Sequence, residues 1–319
     1  MPRRFLVKII WLSCVLFSVS TTAQDKASHT KIDTSQTVWM DEWHQTLSAK
    51  FNEQAQAIDG WFSDSDIPNQ SAGASGKIRL GWEPRSTDLA GFDTRFRIKF
   101  ALPSLKNRVD LLLSDDEDEN LEDNIRTSRE IDSQEQNTTL ALRFFSPNFE
   151  QVSYRIGFGR KDQVFARATY RDYYKLNEKA TLLYDTQAYY YNRDRWGTEA
   201  GASILYERSG KVLDRLNHRW YFSDKDNEFK WRLEAQRYTR LGPQSTWINT
   251  VYFSGYSRPN LHTEQVLIST KLRSNPLRKW LFFEVEPYVL WLKKEDFKAT
   301  YGIALRFEAF YGKGNAFNF

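Results

Sequence analysis

The chain has 319 residues, of which 15% are aromatic and 27% are charged. Its mean hydropathy of −0.64 excludes a helical membrane protein, while so high a share of Trp, Tyr and Phe is unusual for a soluble one. Strands that face lipid on one side and a polar lumen on the other satisfy both demands, because hydropathy averages out along them. The net charge of +4 is spread along the chain, so it does not indicate a nucleic-acid partner.

Residues 1–23 have the layout of a secretory signal peptide. Arg3 and Arg4 supply a basic start, a largely apolar stretch follows, and small residues precede a predicted cleavage site before Gln24. We therefore expect Sec-type export, the alternative being a retained anchor. Cys14 lies in this segment and is the only cysteine, so we expect no disulfide in the mature chain. No later segment approaches the ~20 apolar residues of a membrane helix, so membrane spanning would require strands.

Residues 24–75 form a polar leader with a predicted amphipathic helix at about 38–62, followed by a linker of small residues. The apolar residues of the helix recur every three or four positions and so share one face. They are Met40, Trp43, Leu47, Phe51, Ala55, Ile58 and Phe62. Three placements agree with this apolar face: the helix plugs or covers the barrel, it docks a periplasmic partner protein, or it lies on the inner leaflet surface. We take the plug or lid as the leading expectation.

From residue 76 to residue 319 the hydrophobic period changes to two, as in strands with one apolar face. In the segment 92–102, apolar residues alternate with charged ones over the ~10 residues that a tilted transmembrane strand needs. The pattern predicts fourteen strands, an even number as in bacterial barrels, with twelve as the alternative. The predicted ranges are 77–84, 92–102, 107–114, 137–145, 151–160, 163–172, 179–190, 197–207, 213–223, 228–239, 245–256, 262–273, 280–292 and 298–311.

The connections between these strands indicate an all-β, antiparallel up-and-down transmembrane β-barrel with both termini in the periplasm. Short turns at residues 103–104, 146–148, 241–243 and 275–276 all fall at one end, and the longest connection, 114–136, falls at the other. A soluble sandwich or propeller is the alternative fold. The heavily charged polar faces, and the lack of a second layer to cover the apolar faces, argue against it.

These features together resemble the bacterial (Gram-negative) outer-membrane β-barrel proteins as a class, without pointing to a single named family. Such proteins end in an aromatic residue with apolar residues at alternate positions, which resembles the tag read by the barrel-insertion machinery. Phe317 and Phe319 fit this pattern, whereas Lys313 and Asn315 do not. The resemblance implies an outer-membrane location, contact with membrane lipid and lipopolysaccharide, and passage through the insertion machinery during assembly.

With the apolar faces outward, the strands place many charges in the lumen, and basic residues outnumber acidic ones. The candidate solute-contacting residues are Arg79, Arg95, Arg97, Lys99, Arg143, Arg155, Arg167, Arg219, Arg232, Glu284, Glu286 and Arg306. In a water-filled pore, these arginines select anionic or polar solutes, as charged rings do in channels. Alternatively, the charges pair across strands and close the lumen.

Other chemistry has weaker support in the sequence. The acidic loop with Asp115, Asp116 and Asp118 is only a weak divalent-ion candidate because its ligand spacing is irregular, and we expect a solvated external loop. Among four histidines, His262 beside Glu264 is the best catalytic candidate, but no nucleophile is evident. We expect no cofactor, because no phosphate loop, nucleotide fingerprint or metal-ligand cluster occurs.

Three functions follow from these observations. The first is an outer-membrane pore or transporter with an arginine-rich lumen for small anionic or polar solutes. The second is a closed structural or assembly barrel whose N-terminal helix or loops bind partner proteins. The third is an outer-membrane enzyme acting on lipid or lipopolysaccharide, although the sequence favours a protein without enzymatic activity.

Overall fold

The computed structural model describes residues 34–60, 72–89, 91–105, 108–114, 139–159 and 163–312. The predicted signal peptide, Phe62, the acidic loop with Asp115, Asp116 and Asp118, and the C-terminal Phe317 and Phe319 lie outside the described residues. The chain divides into two compact units between Trp43 and His44. The described part of the first unit is helical and begins at residue 34. The second unit contains the remaining helical residues and all of the strands named below.

One α-helix and fourteen strands make up most of the described residues. Helix α1 spans Thr34–Gly60. The strands are β1 Gly73–Trp82, β2 Phe92–Leu102, β3 Val109–Ser114, β4 Thr139–Phe145, β5 Val152–Gly159, β6 Gln163–Lys175, β7 Ala180–Tyr191, β8 Arg195–Ser209, β9 Val212–Ser223, β10 Glu228–Gly242, β11 Ser245–Tyr256, β12 His262–Arg278, β13 Leu281–Leu292 and β14 Ala299–Tyr311. Their aromatic and β-branched residues, placed at alternate positions, favour extended backbone.

The fourteen strands form one closed barrel in which each strand pairs with its neighbours in the sequence. β1 pairs with β14 in antiparallel register from Gly76 to Trp82, which closes the sheet. Closure removes the exposed strand edges that an open sheet would leave. The prediction of an up-and-down barrel of fourteen strands is therefore confirmed, and the alternative of twelve strands is wrong.

Several strand boundaries differ from the predicted ones, and two of these differences have a clear physical cause. β1 begins at Gly73, because the small residues expected to form a linker already pair with β2. The turn expected at Asn275 and Pro276 lies inside β12, where the register with β13 is irregular. Proline has no N–H to donate to the ladder, so here it interrupts the pairing without ending the strand. The chain reverses only after Arg278.

Side chains alternate between the outside and the inside of the barrel along each strand. In β8, Trp196 and Ile204 lie on the exposed face, whereas Glu199 and Ser203 are buried on the opposite face. Large apolar side chains cover the exposed outer face, among them Leu80, Leu142, Ile156, Phe158, Ile204, Leu216, Val251, Ile268, Ile303 and Phe307. A closed sheet with an apolar exterior and a polar interior is built to span a membrane, because its backbone polar groups pair within the sheet.

The two ends of the barrel are called the helix-side rim and the far rim. The helix-side rim contains the connections that follow β2, β4, β6, β8, β10 and β12, together with the start of β1 and the end of β14. The short turns predicted at residues 103–104, 146–148 and 241–243 lie at this rim, as the predicted strand parity requires. The far rim contains the connections after the odd-numbered strands up to β13.

From residue 44 to residue 60, α1 packs against the barrel wall at the helix-side rim. Phe51 stacks on Tyr311 with ring centroids 4.8 Å apart, and Ala55 and Ile58 join the same apolar cluster. The wall residues buried in that cluster are Ala74, Ile98, Phe100, Leu102, Val109 and Tyr311. They belong to β14, β1, β2 and β3, so this part of the helix covers the junction where the barrel closes.

The strand register places this helical segment outside the barrel. Tyr311 lies opposite Gly76, which shares a face of β1 with Ala74 and the exposed Leu80, while Arg79 lies on the inward face. The residues from 44 to 60 therefore do not occupy the lumen, in contrast to the expected plug. The physical reason is that an apolar helix face finds apolar partners on the outer wall, whereas the inner wall is charged.

Polar contacts fix the same segment to the rim. The side-chain oxygen Oδ1 of Asn52 accepts a hydrogen bond of 2.9 Å from the backbone N–H of Ala74 at the start of β1. The carboxylate of Asp59 accepts one bond from the backbone N–H of Ser104 at 3.0 Å and another from its hydroxyl at 2.8 Å. Among the described residues, no helical segment has the length and apolar character needed to cross a membrane.

Candidate functional site

The candidate site is the inner wall of the barrel, where the strands present their charged side chains. The predicted solute-contacting residues that occupy inward positions are Arg79, Arg95, Arg97, Lys99, Arg143, Arg155, Arg167, Arg219, Arg232, Glu284, Glu286 and Arg306. Their burial differs, since Arg79 and Arg306 are fully covered whereas Arg97, Lys99 and Arg143 are partly exposed. The inner wall therefore has a densely filled part and a more open part.

The filled part is a network of charges on β12, β13, β14, β1 and the adjoining β2, here called the ionic belt. Its members are Lys77, Arg79, Glu83, Asp93, Arg95, Lys271, Arg273, Glu284, Glu286, Arg306 and Glu308. The register brings them together, because Arg306 lies opposite Glu284 on β13 and Glu308 lies opposite Arg79 on β1. Opposite charges paired across strands stabilise a sheet by about 0.2–1 kcal/mol each.

Arg306 is the first centre of the ionic belt. Its Nε donates to Oε1 of Glu83 at 2.7 Å, and its Nη1 donates to Glu286. The same Nη1 lies 3.6 Å from Oε2 of Glu284. The exposed fraction of each of these four side chains is 3% or less. One guanidinium thus joins three carboxylates, one directly after β1 and two on β13.

Glu308 is the second centre of the ionic belt. Its carboxylate lies 2.7 Å from Nη2 of Arg273, 3.4 Å from Nζ of Lys77 and 3.9 Å from Nη1 of Arg79. Arg273 also donates to Glu284, so the two centres are connected. Buried charges of this kind are tolerated only when they are paired. The belt is therefore nearly balanced in charge and is a source of cohesion for the wall.

Between the ionic belt and the far rim, the inner wall changes from ionic to apolar. Tyr252, Leu267, Tyr288, Leu290, Leu292 and Ala304 form a buried group, here called the inner apolar cluster. The ring of Tyr288 lies against Gly302 on the neighbouring strand, where a Cβ atom would overlap it. Along β13, the inward side chains thus pass from carboxylates to Tyr288 and two leucines. This cluster was not predicted from the sequence, although the inward positions of β13 after Glu286 are aromatic or apolar.

On the other side of the barrel, three arginines follow one another across neighbouring strands. Arg143 of β4 lies opposite Arg155 of β5, which lies opposite Arg167 of β6. We call these three residues the arginine row. Strand β5 is seven places from β12 and three places from β2 in the closed order, so the row lies in a different sector of the wall from the ionic belt. Asp110 of β3 borders the row and lies 3.0 Å from Nη2 of Arg143.

The inward positions of β4, β5 and β6 in the described structure carry these arginines and no carboxylate. Arg167 is further held by aromatic groups: its guanidinium lies 5.5 Å from the ring centroid of Tyr189, and its Nη2 donates to the hydroxyl of Tyr191 at 3.2 Å. Like charges set directly opposite each other in a sheet are destabilising. The register of the row is therefore unfavourable in itself, and contacts such as those with Asp110, Tyr189 and Tyr191 offset it.

The remaining predicted lumen arginines are held by acids or rings on β7 to β10. Arg219 makes two hydrogen bonds to Asp185, at 2.7 Å and 2.9 Å, and a third to Glu199. The guanidinium of Arg232 lies 4.4 Å from the ring centroid of Tyr221. These contacts orient both side chains along the wall, so the inner face of β7 to β10 contributes to stability and to local charge balance.

His262 lies at the far rim, and both of its ring nitrogens are engaged. Nε2 lies 2.7 Å from Oε1 of Glu264, and Nδ1 lies 2.5 Å from the carbonyl oxygen of Asn260. Lys293 donates to the same oxygen of Glu264 at 2.8 Å. This group joins two neighbouring loops of the far rim.

Within the described ranges, no group of three or more His, Cys, Asp or Glu side chains is placed to hold a metal ion.

Comparison with known proteins gives similarity of fold only. No protein-family model and no curated protein sequence matches the chain. The outer-membrane channel DcaP of Acinetobacter baumannii has 7% identity and a TM-score of 0.46, covering 76% of this chain and 97% of its own. A loop-deletion mutant of OmpT of Vibrio cholerae has 6% identity and a TM-score of 0.46, with coverages of 75% and 99%. The anion-selective porin from Comamonas acidovorans has 8% identity and a TM-score of 0.43, with coverages of 76% and 99%. Similarities this low assign no family to the chain.

Proposed function

We propose that the protein is a pore of the bacterial outer membrane that admits small anionic or polar solutes. The closed sheet and the apolar outer face support insertion in lipid, since only helices and closed barrels satisfy the backbone there. Single-chain barrels of this kind belong to bacterial outer membranes. The exported location agrees with the signal-peptide pattern of residues 1–23.

The arginine row carries the proposal for solute preference. Arg143, Arg155 and Arg167 are set in direct register, and no carboxylate shares the inward positions of their strands in the described structure. A guanidinium presents several N–H donors in a plane and binds carboxylates and phosphates through paired hydrogen bonds. Three such groups on one wall raise the local concentration of anions and lower that of cations.

The ionic belt and the arginine row differ in the charge that they offer to a solute. In the belt, each glutamate lies within 4.0 Å of a base, so the wall from β12 to β1 is nearly neutral. The described inward positions of β4 to β6 are basic instead. Anionic solutes are therefore expected to pass along the arginine row.

Planar-bilayer recording under a salt gradient tests both parts of the proposal. The wild-type protein is expected to show conductance steps with a reversal potential on the chloride side. The R143Q/R155Q/R167Q variant removes three charges with little change in volume and is expected to lower the chloride-to-potassium permeability ratio several-fold. A matched control, K179Q/K211Q/R258Q, removes three exposed charges from the turns and loops and is expected to keep the wild-type ratio.

Distinct outcomes refute the two parts. Absence of any conductance step from folded wild-type protein refutes the pore itself. A permeability ratio that the arginine-row variant leaves unchanged, or that the control lowers equally, refutes the role of the row. Folding of each variant is checked beforehand by the heat-dependent mobility that closed barrels show on a denaturing gel.

A closed structural or assembly barrel is the second candidate, and the filled wall is the observation that favours it. The inner apolar cluster and the ionic belt together cover the inner faces of β12 to β14 with side chains that exclude water. In this function, α1 or the loops bind a partner protein in the periplasm or at the membrane. Crosslinking in intact cells followed by purification in mild detergent tests it, and recovery of the barrel alone argues against it.

A further inference from the structure

The outer wall carries a polar row close to the helix-side rim, where a lipid-facing surface is otherwise apolar. The row runs across five neighbouring strands, from β8 to β12, at directly opposed positions. Its members are Tyr206, Asp214, Arg237, Asn249 and Thr270. One step towards the far rim, the outward positions of the same strands are all apolar. They are Ile204, Leu216, Ala235, Val251 and Ile268.

Asp214 joins two arginines in this row. Arg237 donates to both carboxylate oxygens, with Nε–Oδ1 at 2.7 Å and Nη2–Oδ2 at 3.3 Å. Arg208, one position nearer the rim on β8, donates from Nε to Oδ2 at 3.2 Å. Two guanidinium groups and one carboxylate leave a net positive charge. Within the described structure, no acceptor contacts Nη1 of Arg237 or either Nη atom of Arg208, so these donors are available to a ligand.

The depth of the row places it near the helix-side edge of the apolar band, where a long arginine side chain reaches the lipid headgroups. Phe222 and Phe229 mark the aromatic girdle of these strands towards the far rim, where their rings lie 4.9 Å apart. Asp214 precedes Phe222 by eight residues on β9, or about 26 Å along the strand. A strand tilt of about 40° reduces this to about 20 Å along the barrel axis, against an apolar band of about 25 Å. Charges on a lipid face are tolerated only near such a boundary.

An apolar groove across β8 to β11 adjoins the charged group on the side of the far rim. It has a volume of about 530 Å³ and is lined by Ile204, Leu216, Ala235 and Val251 above the Asp214–Arg237 pair. The groove forms where the small side chain of Ala235 lies between the larger side chains of Leu216 and Val251. It therefore places an apolar surface directly beside a cationic group, as the acyl chain and the phosphate of one lipid require.

We infer that this surface is a binding site for one glycerophospholipid of the leaflet at the helix-side rim. Arg208 and Arg237 bind the lipid phosphate, Asp214 holds both guanidinium groups in position, and one acyl chain lies in the groove. Guanidinium groups recognise phosphate through paired hydrogen bonds, and burial of the chain adds an apolar contribution. The inference rests on the insertion of the barrel in a bilayer and is independent of whether the barrel conducts.

Native mass spectrometry of the full, folded barrel tests the inference. The detergent-solubilised protein is titrated with dioleoylphosphatidylglycerol and, in a separate arm, with dioleoylglycerol, which has the same chains and no phosphate. We expect one retained phosphatidylglycerol and about tenfold weaker retention of dioleoylglycerol. The R208Q/R237Q variant is expected to weaken phosphatidylglycerol binding by about tenfold or more, because each tenfold step corresponds to about 1.4 kcal/mol.

Two further variants keep the test specific. R195Q removes an exposed arginine that pairs with Asp224 at the far rim, at an N–O distance of 3.9 Å, and is expected to bind lipid as the wild type does. Ala235→Phe fills the groove without changing charge and is expected to weaken binding of the lipid. Equal retention by R208Q/R237Q and wild type overturns the inference, and so does an equal loss in R195Q. Preferential retention of purified lipid A in competition also overturns it, since that lipid belongs to the other leaflet.

Discussion

Replacement of Arg306 with methionine tests whether the ionic belt stabilises the barrel wall. Methionine has a similar length and no charge, so the substitution removes the guanidinium while keeping most of the volume. Glu83, Glu284 and Glu286 then lose the base that they share. Lys271 remains 3.5 Å from Glu286 and 4.0 Å from Glu284, and Arg273 still donates to Glu284, so the loss is compensated only in part.

The size of the effect follows from the burial of these groups. Arg306 is completely covered, and its three acidic partners are covered almost as fully. Removal of one partner from a buried ion pair typically costs about 3–5 kcal/mol, because a charge is left in a poorly solvating environment. We therefore expect R306M to lower the free energy of unfolding by about that amount. The measurement is urea-induced unfolding in lipid vesicles, followed by tryptophan fluorescence.

Two companion variants make this prediction refutable. R195M removes an exposed arginine whose ion pair with Asp224 spans 3.9 Å, and a pair of that kind contributes about 0–1 kcal/mol. R306M/E286M replaces a buried pair by apolar side chains of similar size, which is often neutral, so it is expected to recover at least half of the loss. If R306M lies within about 1 kcal/mol of the wild type, or if the double variant falls further, the ionic belt is not a cohesive network.

Two more substitutions test the outer helix and the inner apolar cluster by the same unfolding measurement. Phe51→Ala removes the ring that stacks on Tyr311. We expect the free energy of unfolding to fall by about 1.5–3 kcal/mol, as for removal of a large apolar side chain from its packed position. An unchanged stability would mean that the helix does not support barrel closure. Gly302→Ala places a Cβ against the ring of Tyr288 and is expected to lower the free energy of unfolding by about 1–3 kcal/mol. Gly210→Ala, with no atom within 4 Å of the added Cβ, is expected to change it little. Equal effects of the two substitutions would contradict the importance of the contact between Tyr288 and Gly302.

The barrel was predictable because its determinants are local. An alternation such as that of residues 92–102 fixes both the strand and the face that meets lipid, and the parity of short turns fixes the number of strands. The inward position of Arg79 or Glu284 follows from the same alternation. Strand ends were less certain where chemistry is mixed, as at Pro276, which breaks the ladder pattern but does not end β12.

Features that depend on which strands become neighbours were not predictable. The helical stripe through Phe51 and Ile58 shows that one face is buried, but not that its partner is the outer wall around Tyr311. The pairing of Arg306 with Glu83 joins residues 223 positions apart and needs the closure of β1 on β14. Sequence alone therefore left a pore and a salt-bridged barrel as equal alternatives.

The closed register shows that these two alternatives describe different sectors of the inner wall of the same barrel. Paired charges and apolar side chains fill the wall from β12 to β1, where the ionic belt compensates its own buried groups. The wall from β4 to β6 carries arginines in direct register and no inward carboxylate among its described residues. Like charges in register oppose folding, so the register of these three arginines does not by itself stabilise that wall. The belt thus accounts for cohesion, and the arginine row for the selection of solutes that we propose.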